Sequence, residues 1–332
     1  MLTQTQFKPA WWLKNAHLQT IYPALFRKTT RHPSWHRERL STPDGDFLDI
    51  DWCGHGSQPL VILLHGLTGS SKSGYICGLQ HILLSQGFRS VTVNFRGCSG
   101  ESNHLARCYH SGETEDIGFV YQTLRQREPN TPFAALGFSL GGNVLLKWLG
   151  EQGDKLDLFA AIAVSVPLVL SICATKLDNG FAKIYRANLL RELKQYISLK
   201  QRQLEQLGHH AEAKKLATVG DLTKIDSFWQ YDEQVVARLH GFNDVHHYYQ
   251  HASSRQYLKS ITVPSLIIHA VDDPFMTPAV IPTENELSPQ VQLELAQRGG
   301  HVGFIAGRIP FKPVYWLEQR IPAFLHERHI PT

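Results

Sequence analysis

Short apolar runs with almost nothing polar inside them, separated by stretches of helical spacing, restrict the fold of this chain more than any other feature. PLVILLHG (59–66), FRSVTVNFRG (88–97), PFAALGFS (132–139), LFAAIAVSVP (158–167), VPSLIIHAVDDP (263–274) and VQLELAQRGGH (291–301) each contain such a run. A strand covered on both faces has no solvent side to alternate with, so its apolar run is continuous, as in parallel sheets. Between these runs, residues 75–86, 114–128 and 140–153 carry apolar side chains at helical intervals. Strand and helix alternating over short connections predict a mostly parallel sheet with helices on both faces. Upstream, RERLSTPDGDFLDIDWCG has two strand-like runs around Pro43-Asp44-Gly45, a hairpin signal. Downstream, AGRIPFKPVYWLEQRIPAFLHERH reads as a terminal helix.

The rhythm breaks between about 168 and 255, a segment rich in Lys, Arg, Gln, Leu and His with patterns such as IYRANLLRELKQYISLKQRQLEQL. It resumes afterwards, so the segment reads as a helical cap inserted between the sixth and seventh strands of one domain spanning 1–332. Residues 1–40, with Trp11, Trp12 and HLQTIYPALFRK, read as an N-terminal arm or helix packed on that body. Leu158 to Ala174 is apolar over a length near the lower limit of a membrane span, roughly 17–25 residues. Pro167 divides it, and a buried strand is expected before the proline, with no stable membrane insertion. The formal charge of +4, from 33 basic and 29 acidic residues, is spread along the chain and gives no case for nucleic-acid binding. Five cysteines (Cys53, Cys77, Cys98, Cys108, Cys173) form an odd set without CxxC spacing, which favours a reducing, cytoplasmic compartment over a disulfide framework or zinc knuckle. MLTQTQFKPAWWLKN lacks a basic region followed by an apolar run, so no signal peptide is expected.

Gly137-Phe138-Ser139-Leu140-Gly141 is a G-x-S-x-G pattern between a buried strand and an amphipathic helix. That setting makes Ser139 a candidate nucleophile on a strained strand-to-helix turn, where flanking side chains would collide with neighbouring backbone. A serine hydroxyl needs a base, and the base an orienting acid. In this strand order they follow as Ser, Asp or Glu, then His. Of eighteen histidines, His269, His301, His326 and His329 lie late enough. His269 falls inside a strand, and His326 and His329 belong to the C-terminal tail. His301 follows Arg298-Gly299-Gly300 on a loop at the carboxyl edge of the sheet, where ligand chemistry gathers. The acid is expected at the tip of LIIHAVDDP: Asp273, with Asp272 the alternative and the other aspartate capping the loop. Two N–H donors must stabilise the tetrahedral oxyanion. Leu140 N–H is one candidate and Leu67 N–H, in HGLTGS (65–70), the other; His65 reads as a loop-shaping residue.

Other constellations are weaker. His240, His246, His247 and His251 are dense, with His247 and His251 at metal spacing, but no HExxH accompanies them, so the polar face of an inserted helix is expected. NFRGCSG (94–100) lacks the order of a dinucleotide loop, and Arg96 reads as a buried structural arginine. Thr114 is the expected N-cap of the helix over 114–128. Nothing near Cys98 or Cys108 would lower a thiol pKa. No metal or cofactor is expected.

Several strings in fixed order, HLQT (17–20), HGLTGS (65–70), NFRGCSGE (94–101), YHSGETED (109–116), GFSLGGN (137–143), HAVDDPFM (269–276) and GGHVGF (299–304), resemble the YheT-like esterases of the α/β-hydrolase superfamily over nearly the whole chain. The resemblance implies an α/β-hydrolase fold without cofactors. It puts the charge relay on Ser139, an aspartate of the DDP string, and His301. Thr68 stands where an acidic residue is expected in many relatives. The function expected is cleavage of carboxylic esters, most simply of short- to medium-chain acyl groups, through an acyl-enzyme. The alternatives are a lipase or thioesterase acting on lipid-derived acyl groups, and a catalytically silent, ligand-binding pseudo-hydrolase.

Overall fold

The computed structural model describes residues 1–27 and 35–329, so residues 28–34 of the expected N-terminal arm lie outside the described residues. Nine strands form one sheet: β1 (Leu2–Gln4), β2 (Trp35–Ser41), β3 (Phe47–Cys53), β4 (Leu60–Leu64), β5 (Arg89–Val93), β6 (Phe133–Phe138), β7 (Ala160–Val164), β8 (Ser265–Ala270) and β9 (Val291–Ala296). Their order is β1-β9-β8-β7-β6-β4-β5-β3-β2. Every pairing from β1 to β5 is parallel; β2 and β3 form the expected antiparallel hairpin, and β3 pairs antiparallel with β5.

The continuous apolar runs feed two cores at once, because successive side chains of a strand point to opposite faces. In β4, Leu60, Ile62 and Leu64 pack toward α3 (Glu115–Arg127) and α4 (Leu140–Gln152). Val61 and Leu63 pack toward α2 (Gly74–Ser85) and α11 (Leu317–Arg328). The same alternation divides β6, with Phe133 and Ala135 on the first side and Ala134, Leu136 and Phe138 on the second.

Between β7 and β8 the chain leaves the sheet for α5 (Leu170–Leu177), α6 (Ala182–Gln206), α7 (His210–Ala217), α8 (Phe228–Tyr231), α9 (Arg238–His240) and α10 (Val245–Ala252). Leu190, Leu193, Ile197 and Leu204 form the apolar stripe of α6 and meet Leu216, Tyr231, Val235 and Tyr248 in a core of their own. The apolar stretch from Leu158 to Ala174 is split at Pro167 between β7 and α5. Among the described residues, no helix is long and apolar enough to cross a membrane.

Three details depart from the sequence reading. β1 adds an edge strand, with Leu2 opposite Leu293, and its three residues are too few and too polar to carry a period. The cap segment therefore lies between the seventh and eighth strands of the sheet. The C-terminal stretch is not helical from its start: β10 (Ile305–Ala306) and β11 (Val314–Tyr315) pair antiparallel before α11 begins. Thr114 occupies the N-cap position of α3 without capping it. Glu113 does so, its Oε1 accepting the N–H groups of Glu115 (2.8 Å) and Asp116 (3.2 Å), while Thr114 Oγ1 donates to Glu151.

The loop after β5 ties these layers together. Buried Arg96 donates to both oxygens of Asp116 (2.9 and 2.7 Å) and pairs with Asp46 (3.3 Å) and Asp44 (3.0 Å). It is thus structural, as expected. Gly97, at φ +78°, faces the Tyr196 ring so closely that a Cβ would sit 2.1 Å from it.

Candidate active site

Ser139 stands between the last residue of β6 and the first of α4, with φ +50° and ψ −118°. A non-glycine residue in that region costs on the order of 1–3 kcal/mol. The turn is held by Ser139 N–H, which donates to Val164 O of β7 at 2.8 Å. The flanking glycines follow from space: a Cβ on Gly137 would lie 2.3 Å from Gly141 O, and one on Gly141 would lie 2.5 Å from His65 O.

His301 comes from the loop after β9 and reaches over the tip of β6. Its Nε2 is 2.9 Å from Ser139 Oγ, and its Nδ1 is 2.8 Å from Asp273 Oδ2. The Asp273 carboxylate accepts Phe275 N–H at Oδ1 (2.9 Å) and the imidazole N–H at Oδ2. The ring proton therefore sits on Nδ1, leaving the Nε2 lone pair to face the hydroxyl. Asp272 points elsewhere and accepts the N–H groups of Gly299 (2.8 Å) and Gly300 (3.1 Å), shaping the turn that delivers His301. Burial pushes its carboxyl above the ordinary aspartate value. His269 is buried inside β8, while His326 and His329 pack against Phe88.

The imidazole is also fixed from the N-terminal side. Thr20, in α1 (Ala16–Phe26), accepts His301 N–H at 2.9 Å. Buried Gln19 donates to Leu13 O (2.7 Å) and Ile305 O (3.0 Å) and accepts Ile305 N–H. Gly303 allows α1 this close, since a Cβ there would lie 2.1 Å from Gln19 O. The Phe275 ring lies parallel to the imidazole at 4.1 Å, and Tyr185 of α6 packs on Phe275 at 4.9 Å. Tyr185 Oη in turn pairs with His17 Nδ1 at 3.0 Å. Reasoning from chemistry alone does not single out Gln19, Thr20 or Phe275. The available signal was their place in the HLQT and HAVDDPFM strings. Thr20→Val leaves the His301 N–H without its acceptor, a loss of about 1–3 kcal/mol. The expected result is a kcat lowered about tenfold with KM nearly unchanged, restored by Thr20→Ser; steady-state kinetics on the three proteins checks it.

The two oxyanion candidates differ from their neighbours in one respect. In the loop after β4, Gly66 N–H donates to Tyr75 Oη (2.8 Å), Thr68 N–H to Tyr109 Oη (3.0 Å), and Gly69 N–H to Gly66 O (3.0 Å). Among the described residues, the N–H groups of Leu67 and Leu140 have no protein acceptor, and both residues line the same cavity as Ser139. Thr68 adopts φ +56°, so the loop bends back where its N–H is pinned.

His65 supports this loop from below. Its Nε2 accepts Phe95 N–H (3.1 Å), so Nδ1 carries the proton and donates to Gly66 O (2.8 Å). Burial pulls the imidazole down to about 4. The unfolded chain, with an ordinary histidine near 6.5, therefore binds the extra proton between about pH 6.5 and 4, and stability falls as pH falls through that window. His65→Gln is expected to remove one proton's worth of this slope, about 1.4 kcal/mol per pH unit. Urea unfolding of both proteins across that range measures it; parallel curves would contradict it.

The remaining candidates stay apart from this centre. His247 and His251 meet edge to face at 4.2 Å on the outer side of α10, His246 lies against Trp229, and His240 approaches Cys108 Sγ at 3.4 Å. Among the described residues, no group of three potential ligands that could hold a metal ion occurs. Burial pushes the Cys98 thiol up to about 12 and that of Cys108 up to about 11. Ser139, Leu67, Leu140 and His301 open onto a cavity of about 470 Å³ walled by Pro167, Leu170, Cys173, Ala174, Leu177, Leu189 and Phe228 from beyond β7, and by Pro23 and Ala24 from α1.

The sheet order, the strained serine turn and the sequence together define a class. Residues 59–307 match the alpha/beta hydrolase fold family, so the chain belongs to the α/β hydrolases. Within them it is YheT-like: it is 39% identical to the Escherichia coli K12 protein named "Putative esterase YheT", covering 97% of this chain and 94% of that one. It is also 30% identical to the mouse phospholipase ABHD3, over 99% of this chain and 81% of that protein. A Saccharomyces cerevisiae monoacylglycerol lipase is 30% identical over 80% of this chain and 58% of its own length. Among solved structures, the Pyrococcus furiosus esterase Pf2001 superposes with a TM-score of 0.57 at 18% identity, covering 89% of this chain and 91% of that one, a likeness of fold.

Proposed function

We propose that this chain is a serine hydrolase that cleaves carboxylic esters, with Ser139 as nucleophile, His301 as base and Asp273 as the acid that orients it. The observation that carries the proposal is the unbroken relay of 2.9 and 2.8 Å from hydroxyl to imidazole to carboxylate. It opens on a cavity where two backbone N–H groups are left free. His301 takes the hydroxyl proton as Ser139 Oγ attacks the acyl carbonyl, and the oxyanion is held by Leu67 N–H and Leu140 N–H. The tetrahedral intermediate collapses, the C–O bond to the alcohol breaks, and the proton on Nε2 goes to the leaving oxygen. Water then repeats the sequence on the acyl-enzyme, releasing the acid and restoring Ser139.

Short- to medium-chain acyl esters fit the cavity's volume and largely apolar walls, and relatives named esterase, phospholipase and monoacylglycerol lipase support ester chemistry in general. In this reading residues 1–332 form one domain, with α1 of the N-terminal arm bracing the histidine loop and the helices of residues 168–255 acting as a lid. Cytoplasmic location belongs to the same proposal and rests on the odd, unpatterned cysteines. A second reading, lipid-derived acyl groups, is favoured by exposed Leu25 and Phe26 beside cavity-lining Pro23, Ala24 and Arg27. A series of p-nitrophenyl esters of graded chain length tests both. Turnover is expected to peak at short to medium chains. A peak at long chains that rises with lipid aggregation supports the lipid reading, and no turnover at any length overturns the proposal.

A further inference from the structure

The cavity wall contributed from beyond β7 is not uniformly apolar. Beside Leu170, Ala174 and Phe228, Asp232 lines it. Asp232 starts a π-helical stretch, Asp232–Ala237, that continues directly from α8. Such widened turns are rare and occur frequently at functional sites. Tyr249 Oη donates to Asp232 Oδ2 at 2.7 Å. No protein donor reaches Oδ1 among the described residues, and that atom is not sealed in the protein. The neighbouring Glu233 already does the structural work here, accepting Val245 N–H at the start of α10 at 2.7 Å. Asp232 reaches the same helix only through Tyr249, itself a cavity-lining residue, and through one oxygen. A carboxyl kept in apolar surroundings with half its bonding capacity unused costs stability, which is worthwhile where a ligand completes the set.

We infer that Asp232, supported by Tyr249, is a specificity site for a hydroxyl group that the ester substrate carries in addition to its scissile bond. This rests on the reading of Ser139 as the nucleophile and names the substrate class of that same site: hydroxylated esters in preference to plain alkyl ones. Burial pushes the Asp232 carboxyl up to about 7, so both of its protonation states are populated near neutrality. A hydroxyl matches either state, donating to the carboxylate or accepting from the acid. An ammonium matches only the ionised form and would lose its hydration to largely apolar walls, at several kcal/mol. The hydroxyl could belong to the acyl chain or to the alcohol, and the chemistry at Asp232 is the same for both.

The test compares kcat/KM within matched pairs. One arm uses p-nitrophenyl esters of acyl chains hydroxylated at successive positions against the unsubstituted chains. The other uses diol monoesters against alkyl esters of equal length. A ratio taken within one preparation does not depend on the fraction of active protein. The wild type is expected to favour a hydroxylated member of one arm at least about tenfold, and the responding arm locates the hydroxyl. Asp232→Leu is expected to bring that ratio to about one or below, whereas Asp232→Asn, which keeps an acceptor and a donor, retains part of it. Wild-type ratios at or below one in both arms, or a preference unchanged in Asp232→Leu, overturn the assignment. Absence of both turnover and fluorophosphonate labelling in the wild type overturns the hydrolase reading itself. A labelled, active enzyme that ignores the hydroxyl overturns only the role of Asp232.

Discussion

Ser139→Ala is expected to lower kcat for ester cleavage on the order of a million-fold and to abolish labelling by a fluorophosphonate probe. The size follows from the geometry. Without Oγ, the imidazole Nε2 at 2.9 Å has no proton to take, and nothing covalent forms. What remains is the binding cavity and the two free N–H groups, which by themselves leave roughly a thousand- to ten-thousand-fold acceleration over water. The substitution keeps the Cβ and the turn, so circular dichroism and thermal unfolding should be close to wild type. A variant that folds and still turns over ester at a tenth of the native rate would show that the nucleophile lies elsewhere.

The second large effect separates two adjacent carboxylates. Asp273→Asn is expected to lower kcat about ten-thousand-fold, because an amide facing Nδ1 favours the wrong tautomer and directs the Nε2 proton at the serine. Asp272→Asn should cost less than about tenfold. An asparagine oxygen can still accept from Gly299 N–H and Gly300 N–H, which is all the Asp272 carboxylate does for the loop. Stability and kcat measured on both variants decide the matter. If the residue-272 variant were the crippled one, the relay assigned here would be wrong.

Much of this was legible in the sequence because the responsible physics is local. A run such as Leu60–Leu64 has one solution in a sheet covered on both faces, and the structure buries all five residues. The glycines around Ser139 are required by backbone contacts within a few residues of the turn or on the neighbouring strand tip, so the motif and its setting travel together. Asp272 and Asp273 differ by one position and hence by side-chain direction, which strand alternation anticipates in kind but fixes only through the loop each one meets. Leu67 could be nominated from its loop, yet its distinction is that both neighbours give their N–H groups to tyrosines at positions 75 and 109, the second far along the chain.

What escaped the sequence depends on long-range packing or on very short elements. β1 is three residues long and takes its register from β9, nearly three hundred residues away. Thr114 has the composition of a cap, but the backbone lets Glu113 reach the N–H groups first. Thr20 and Gln19 acquire meaning only when α1 lies on the loop of His301. Asp232 looks like one more charge in a polar helical segment until the fold makes it a lining residue of the Ser139 cavity.

Intact-mass measurement of protein quenched in acid during turnover of p-nitrophenyl acetate tests the central claim most directly. One acetyl group per chain, mapped by peptide sequencing to residue 139 and absent from Ser139→Ala, is the expected result. An acetyl group carried elsewhere, or steady ester turnover by Ser139→Ala near the native rate, would contradict it.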